Sequence, residues 1–227
     1  DRILGVVTNL KNTSDKLNSL SLALEKKSSD IAKEAETQFS FATGYTPAGE
    51  TDATKIAEAV QNAKDAEVAI VFAGLPDIYE SEGYDRKNID MPEGHNQLIA
   101  AVAKANKNVI VVLMNGAAVS MPWKNDVKAI VEAYLGGQAG GGAVADILTG
   151  KVNPSGKLSE TFPVRTEDTP TATDFPSKDG SATYGEGIFI GYRYYDKKKI
   201  EPNFPFGYGL SYTTFKYSDI KSSTTNA

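Results

Sequence analysis

The chain has 227 residues, 41 % of them hydrophobic and 23 % charged, with a formal net charge of −5. That length and composition suit a soluble domain with a substantial core, and the negative balance argues against nucleic acid as a partner. Cysteine is absent and His95 is the single histidine, which excludes disulfides, thiolate metal sites, a cysteine nucleophile and a multi-histidine metal centre.

No apolar run approaches the roughly 18 residues of a membrane-spanning helix. The N-terminus as it stands lacks the basic and then apolar pattern of a signal peptide. A soluble protein without a membrane partner is therefore expected, and the composition suits the cytoplasm as well as export.

Leu17, Leu20, Leu24 and Ile31 recur at near-helical spacing, so residues 1–36 are read as a helical N-terminal segment of uncertain origin. Phe39 and Phe41 alternate with polar neighbours, which predicts a short strand over 38–42. Thr51 or Asp52 can cap a helix whose apolar positions are Ile56, Ala59, Val60 and Ala63.

The nearly continuous apolar run 67–74 reads as a strand buried on both faces. Pro92 suits the first turn of a second helix, where a missing N–H costs nothing. A second buried strand follows at 109–114, a third at 127–134, and an Ala-rich helix at 138–148. Strand and helix alternate in this order, which predicts an α/β fold: a three-layer α/β/α sandwich with a mostly parallel sheet. Beyond Gly150 helical periodicity fades, and 151–217 is read as a long extended C-terminal segment wrapping the sheet and able to add edge strands. The domain is placed at 37–218, with 219–227 as a linker or tail.

In such sheets ligands meet the loops at the carboxyl ends of the strands. The loop 75–91 is the longest and the most charged of these. It contains Asp77, Tyr79, Glu80, Glu82, Tyr84, Asp85 and Arg86. Neighbouring carboxylates repel when both ionise, so one can keep its proton near neutral pH and serve as a general acid. Arg86 is expected to pair with Asp85 and fix the loop. Taken alone, this chemistry fits a solvated polar loop with an incidental ion pair equally well.

Several blocks together carry a resemblance. They are Glu80-Ser81-Glu82-Gly83-Tyr84-Asp85-Arg86 with Ile89-Asp90-Met91-Pro92, Met114-Asn115-Gly116, Met121-Pro122-Trp123 and Gly136-Gly137-Gln138. Further on come Asn153-Pro154-Ser155-Gly156-Lys157-Leu158, Gly191-Tyr192-Arg193-Tyr194-Tyr195-Asp196 and Pro205-Phe206-Gly207-Tyr208-Gly209-Leu210-Ser211-Tyr212. In this order, over roughly residues 40–218, they resemble the α/β-sandwich domain of glycoside hydrolase family 3 β-glucosidases.

The resemblance implies a retaining β-glycosidase that needs no metal or organic cofactor. It implies that Glu82 is the general acid/base, with Glu80 as rival. Its aspartate nucleophile would lie on a (β/α)₈ barrel domain, which this chain is too short to hold. The implied ligand is a β-glucoside or a short β-linked oligosaccharide. Asp77, Tyr79, Glu80, Tyr84, Asp85 and Arg86 are the substrate-binding candidates, Asp85 and Arg86 also as loop-fixing residues. A non-catalytic carbohydrate-binding or interaction module with the same fold is the alternative.

Other features have plainer readings. Gly136–Gly142 lacks the pattern of a phosphate loop and suits close packing. His95 is read as a structural, exposed helix residue. Trp123 is read as a core residue near the sheet edge. Tyr192, Tyr194, Tyr195, Tyr208 and Tyr212 are read as rings packed on the core, with hydroxyls reaching backbone groups.

Overall fold

The computed structural model describes residues 39–177 and 180–223. The helix expected around Leu17–Ile31 lies outside the described residues.

Three parallel strands form the sheet in the order β1-β2-β3: β1 Ala69–Gly74, β2 Val109–Met114 and β3 Ala129–Glu132. The apolar runs specify the first two. Val71 and Ala73 of β1 share a face with Val109, Val111 and Leu113 of β2. β2 also buries Val112 on its other face, whereas Ile70 leaves that face of β1 exposed, so only β2 matches the expected burial on both faces. β3 is shorter than the predicted 127–134. It pairs with β2 from Ala129 to Glu132, and Tyr134 then leaves the ladder with a positive φ of 48°.

Helix α1 spans Ala53–Lys64, and Asp52 caps it by accepting from the N–H groups of Thr54 and Lys55. Helix α2 spans Glu93–Ala105, directly after Pro92. The two helices pack together, and α2 lies on β1 and β2. Leu98, Ile99, Val102 and Ala103 of α2 close the core over the sheet. Asn106 joins the ends of the two helices. Its buried Nδ2 donates to the carbonyls of Ala63 and Ala66 at 2.8 and 2.7 Å, which satisfies exposed helix-end acceptors. Helix α3 spans Gly140–Leu148.

The wrapping segment departs from the sequence reading in two ways. It adds an antiparallel bridge, Phe162 to Phe204, and no edge strand among the described residues. It also contains a helix, α4, Tyr192–Lys198, closed by Lys199 in the left-handed conformation. Seven residues are too few to show a periodic apolar stripe. The strand predicted at 38–42 is likewise not formed over its described residues 39–42. Two exposed phenylalanines, Phe39 and Phe41, carried that pattern without a partner strand.

Trp123 is buried in the core, as its sequence context suggested, and its Nε1 donates to Asn96 at 2.9 Å. The tyrosines are mixed. Tyr195 is buried and Tyr212 donates its hydroxyl to the Ile147 carbonyl, but the rings of Tyr192, Tyr208 and Tyr212 stay substantially exposed. His95 is buried rather than exposed, at 4 %. Its Nδ1 accepts from the Gly74 N–H at 3.2 Å, its ring lies 3.9 Å from that of Tyr45, and burial lowers its pKa to about 4. It is therefore a neutral structural group that braces the carboxyl end of β1. At Gly136 the close-packing reading also holds, since a Cβ there would lie 3.0 Å from the Gly140 Cα.

Candidate active site

β1 ends at Gly74, and the chain continues into the loop singled out above. Residues 76–80 form a tight turn in which the N–H groups of Tyr79 and Glu80 both donate to the Pro76 carbonyl. The connection leaving β2, residues 115–121, runs beside this loop and holds it at successive points. Glu80 Oε2 accepts from the Gly116 N–H at 2.8 Å, and Arg86 Nη2 donates to the Ala118 carbonyl at 3.1 Å. The Ser120 N–H donates to Ile89 at 2.9 Å, and its hydroxyl to Asp90 at 2.6 Å.

The spacing of these ties shapes the loop. Six residue steps separate Glu80 from Arg86, and two separate Gly116 from Ala118. Two steps span about 7 Å at most, whereas six could span about 20 Å. Residues 81–85, between the two ties, are exposed, Glu82, Tyr84 and Asp85 among them. Gly83 turns the tip with a φ of +75°, and nothing lies within 4 Å of where its Cβ would sit, a conformation that favours glycine.

The structure thus divides the sequence candidates. Glu82, Tyr84 and Asp85 stand on the free tip. Asp77 and Tyr79 sit half-buried in the turn before it. Glu80 and Arg86 are engaged at its base. The expected Asp85–Arg86 pair is not formed. Arg86 instead lies in the field of Glu80, Glu160 and Asp90, whose charges oppose the lowering of its pKa by burial. Adjacent residues on an extended backbone project to opposite sides, so Arg86 reaches inward while Asp85 stays in solvent.

Two carboxyls that the sequence reading passed over complete the surroundings. Glu160 comes from the wrapping segment. Burial raises its pKa, against the opposing pull of the Ala118 N–H and the Arg86 charge. Glu132 ends β3, and its carboxyl accepts from the Tyr134 N–H at 3.0 Å and from Asn115 Nδ2 at 3.3 Å. Burial pushes its pKa up to about 7, with the charges of Glu160 and Glu80 acting the same way. Among the described residues no group of three or more His, Asp or Glu side chains is arranged to hold a metal ion. No described helix is long and apolar enough to cross a membrane.

Glu132 gives a pH prediction. Its folded pKa lies above the ordinary 4.5, so the fold prefers the protonated form. Its contribution to stability is complete below pH 4.5 and is lost as pH rises through 7. The stability of Glu132→Gln relative to wild type should therefore improve by about 2 kcal/mol between pH 4.5 and 7.5. Urea midpoints at the two pH values measure this. A difference that does not change with pH would show that Glu132 ionises freely.

An α/β sandwich with a carboxylate-bearing loop at the carboxyl end of its first strand is the class that fold and site define. Comparison with known proteins is more specific. Residues 5–212 match the glycosyl hydrolase family 3 C-terminal domain, a span that takes in most of the N-terminal stretch. The chain is 59 % identical over 169 residues to the thermostable beta-glucosidase B of Acetivibrio thermocellus, covering 74 % of this chain and 22 % of that protein. It is 44 % identical over 200 residues to the exo-alpha-(1->6)-L-arabinopyranosidase of Bifidobacterium breve, covering 87 % of this chain and 26 % of that one.

Among solved structures, the GH3 beta-glucosidase of Bifidobacterium adolescentis superposes with a TM-score of 0.76 at 48 % identity, over 82 % of this chain and 28 % of that one. The beta-glucosidase of Kluyveromyces marxianus in complex with glucose gives 0.72 at 45 %, over 76 % and 21 %. The chain belongs to glycosyl hydrolase family 3, and corresponds to its C-terminal domain. It spans about a fifth to a quarter of the length of these curated relatives.

Proposed function

We propose that this domain supplies Glu82 as the general acid/base of a retaining β-glycosidase whose nucleophile, an aspartate, lies on a (β/α)₈ barrel domain of the same enzyme. The observation that carries this reading is the free tip 81–85, held at both ends and exposed in between. A general acid must reach a substrate oxygen at hydrogen-bond distance. Glu82 is free to do so, whereas Glu80 Oε2 is already committed to the Gly116 amide.

In the first step Glu82 gives its proton to the glycosidic oxygen while the aspartate attacks the anomeric carbon. In the second it takes a proton from the water that releases the sugar. Such a pair works with its carboxyl groups about 5–5.5 Å apart, so the tip would dock over the barrel mouth. Asp77, Tyr79, Tyr84 and Asp85 flank Glu82 and are the proposed sugar contacts. The substrate class is a β-glucoside or a short β-linked oligosaccharide, in keeping with the relatives named beta-glucosidase.

The test is hydrolysis of an aryl β-glucoside by the enzyme that carries this chain and by the 227-residue chain alone. The full enzyme should release β-glucose as the first-formed anomer, read by proton NMR, and the chain alone should be inert. Turnover by the chain alone would mean that both carboxyl groups lie within it, and α-glucose as first product would exclude a retaining mechanism.

A further inference from the structure

We propose that Glu80, Arg86 and Glu160 are positioning residues: together they clamp the 116–118 turn and so fix the tip from which Glu82 works. This inference rests on the proposed role of Glu82.

Each of the three meets a different backbone group of one short turn. Glu80 takes the Gly116 N–H and Arg86 takes the Ala118 carbonyl. Glu160 faces the Ala118 N–H. Ala118 is thus tied to the loop through Arg86, and the Glu160 carboxyl of the wrapping segment lies close enough to its N–H to feel it. Charge adds to geometry. The Arg86 guanidinium lies in the field of both carboxylates, and a charged donor or acceptor makes a hydrogen bond roughly twice as strong as a neutral pair.

Gly116 makes room for this arrangement. A Cβ there would lie 3.1 Å from Glu80 Oε1 and 3.1 Å from Leu135 Cδ1. The wrapping segment ties in once more at Ile89, whose N–H donates to Thr166 Oγ1 at 3.1 Å. The tip itself has no such fixings, so its placement depends on its two anchored ends. Misplacing a catalytic group by about 1 Å can cost 10²-fold in rate.

The experiment uses the full enzyme with Glu80→Ala, Glu80→Gln, Glu160→Gln and Gly116→Ala. Each is assayed on glycosides with good and poor leaving groups, with and without azide. Glu80→Ala should lower kcat on glycosides with poor leaving groups by about 10–100-fold, with a smaller loss on dinitrophenyl glycosides, because what it misplaces is the proton donor Glu82. Glu80→Gln keeps a carbonyl acceptor for the Gly116 N–H and should recover most of that loss. Glu160→Gln should show a smaller fall of the same pattern, because it keeps an acceptor and loses the charge facing Arg86. Gly116→Ala, whose Cβ would press on Glu80 Oε1 at 3.1 Å, should show a smaller fall of the same pattern.

Wild-type turnover in both Glu80→Ala and Gly116→Ala would overturn the clamp. So would a Glu80→Gln variant as impaired as Glu80→Ala and rescued by azide, which would make Glu80 the acid/base. If the Glu80→Ala loss and its recovery by glutamine are seen while Glu82→Ala is unimpaired, the clamp stands and the assignment of Glu82 falls.

Discussion

In the full enzyme, Glu82→Ala is expected to lower turnover on glycosides with poor leaving groups by about 10²–10⁴-fold. Dinitrophenyl glycosides should react to form the glycosyl-enzyme almost as before. The reason lies in the proton. An alkoxide leaves from the anomeric carbon only when its oxygen is protonated, whereas dinitrophenolate is stable enough to leave unaided. Without the base, water attacks the glycosyl-enzyme slowly, so the intermediate accumulates. Azide needs no base to attack, so it should restore turnover and yield the β-glycosyl azide. A loss equal for all leaving groups and indifferent to azide would rule out Glu82 as the acid/base.

The second large effect falls on stability. Gly74→Ala should destabilise the domain by more than about 3 kcal/mol. Gly74 is the last residue of β1 and is paired with Met114 of β2. A Cβ at this position would lie 1.9 Å from the Met114 carbonyl oxygen and 2.6 Å from its carbon. Those are backbone atoms, so no rotamer change relieves the clash. Separation would break the Leu75-to-Met114 hydrogen bond and the Gly74-to-His95 contact, at the point from which the loop 75–91 departs. At about 2–4 °C per kcal/mol for a domain of this size, thermal unfolding should move down by roughly 6–12 °C. A shift under 3 °C would mean that the two strand ends part easily.

The layout of the domain was legible wherever a residue's role depends on near neighbours. The apolar runs at Val68–Ala73 and Val109–Met114 need only their own composition to be read as buried parallel strands. The cap at Asp52 and the helix start after Pro92 are likewise local. The loop carrying Glu82 was found because its charges are adjacent in sequence.

Features that depend on distant residues were not legible. Arg86 looked like the partner of Asp85 because they are neighbours in the chain, yet its acceptor is a carbonyl 32 residues away. Glu132 and Glu160 gave no local signal, since what sets their properties is burial beside groups on other elements. His95 was read as exposed because its buried side depends on Tyr45 and Gly74. The family blocks pointed to the loop, and within it Glu80 is engaged at Gly116 while Glu82 is exposed.

The antiparallel bridge between Phe162 and Phe204 has a bearing on how the molecule is made. Phe162 is fully buried, and its N–H and carbonyl are both satisfied by Phe204. Glu160 and Thr166, which flank it, therefore have a firm seat only after residue 204 has left the ribosome. At roughly 5–20 residues per second, that is about 6–25 s after Glu80 and Glu82 were joined. A polypeptide stopped near residue 155 would contain all three strands and the acid/base loop, and still lack the later stretch that steadies its far side. In order of synthesis, the stretch that steadies this side arrives after the loop it supports.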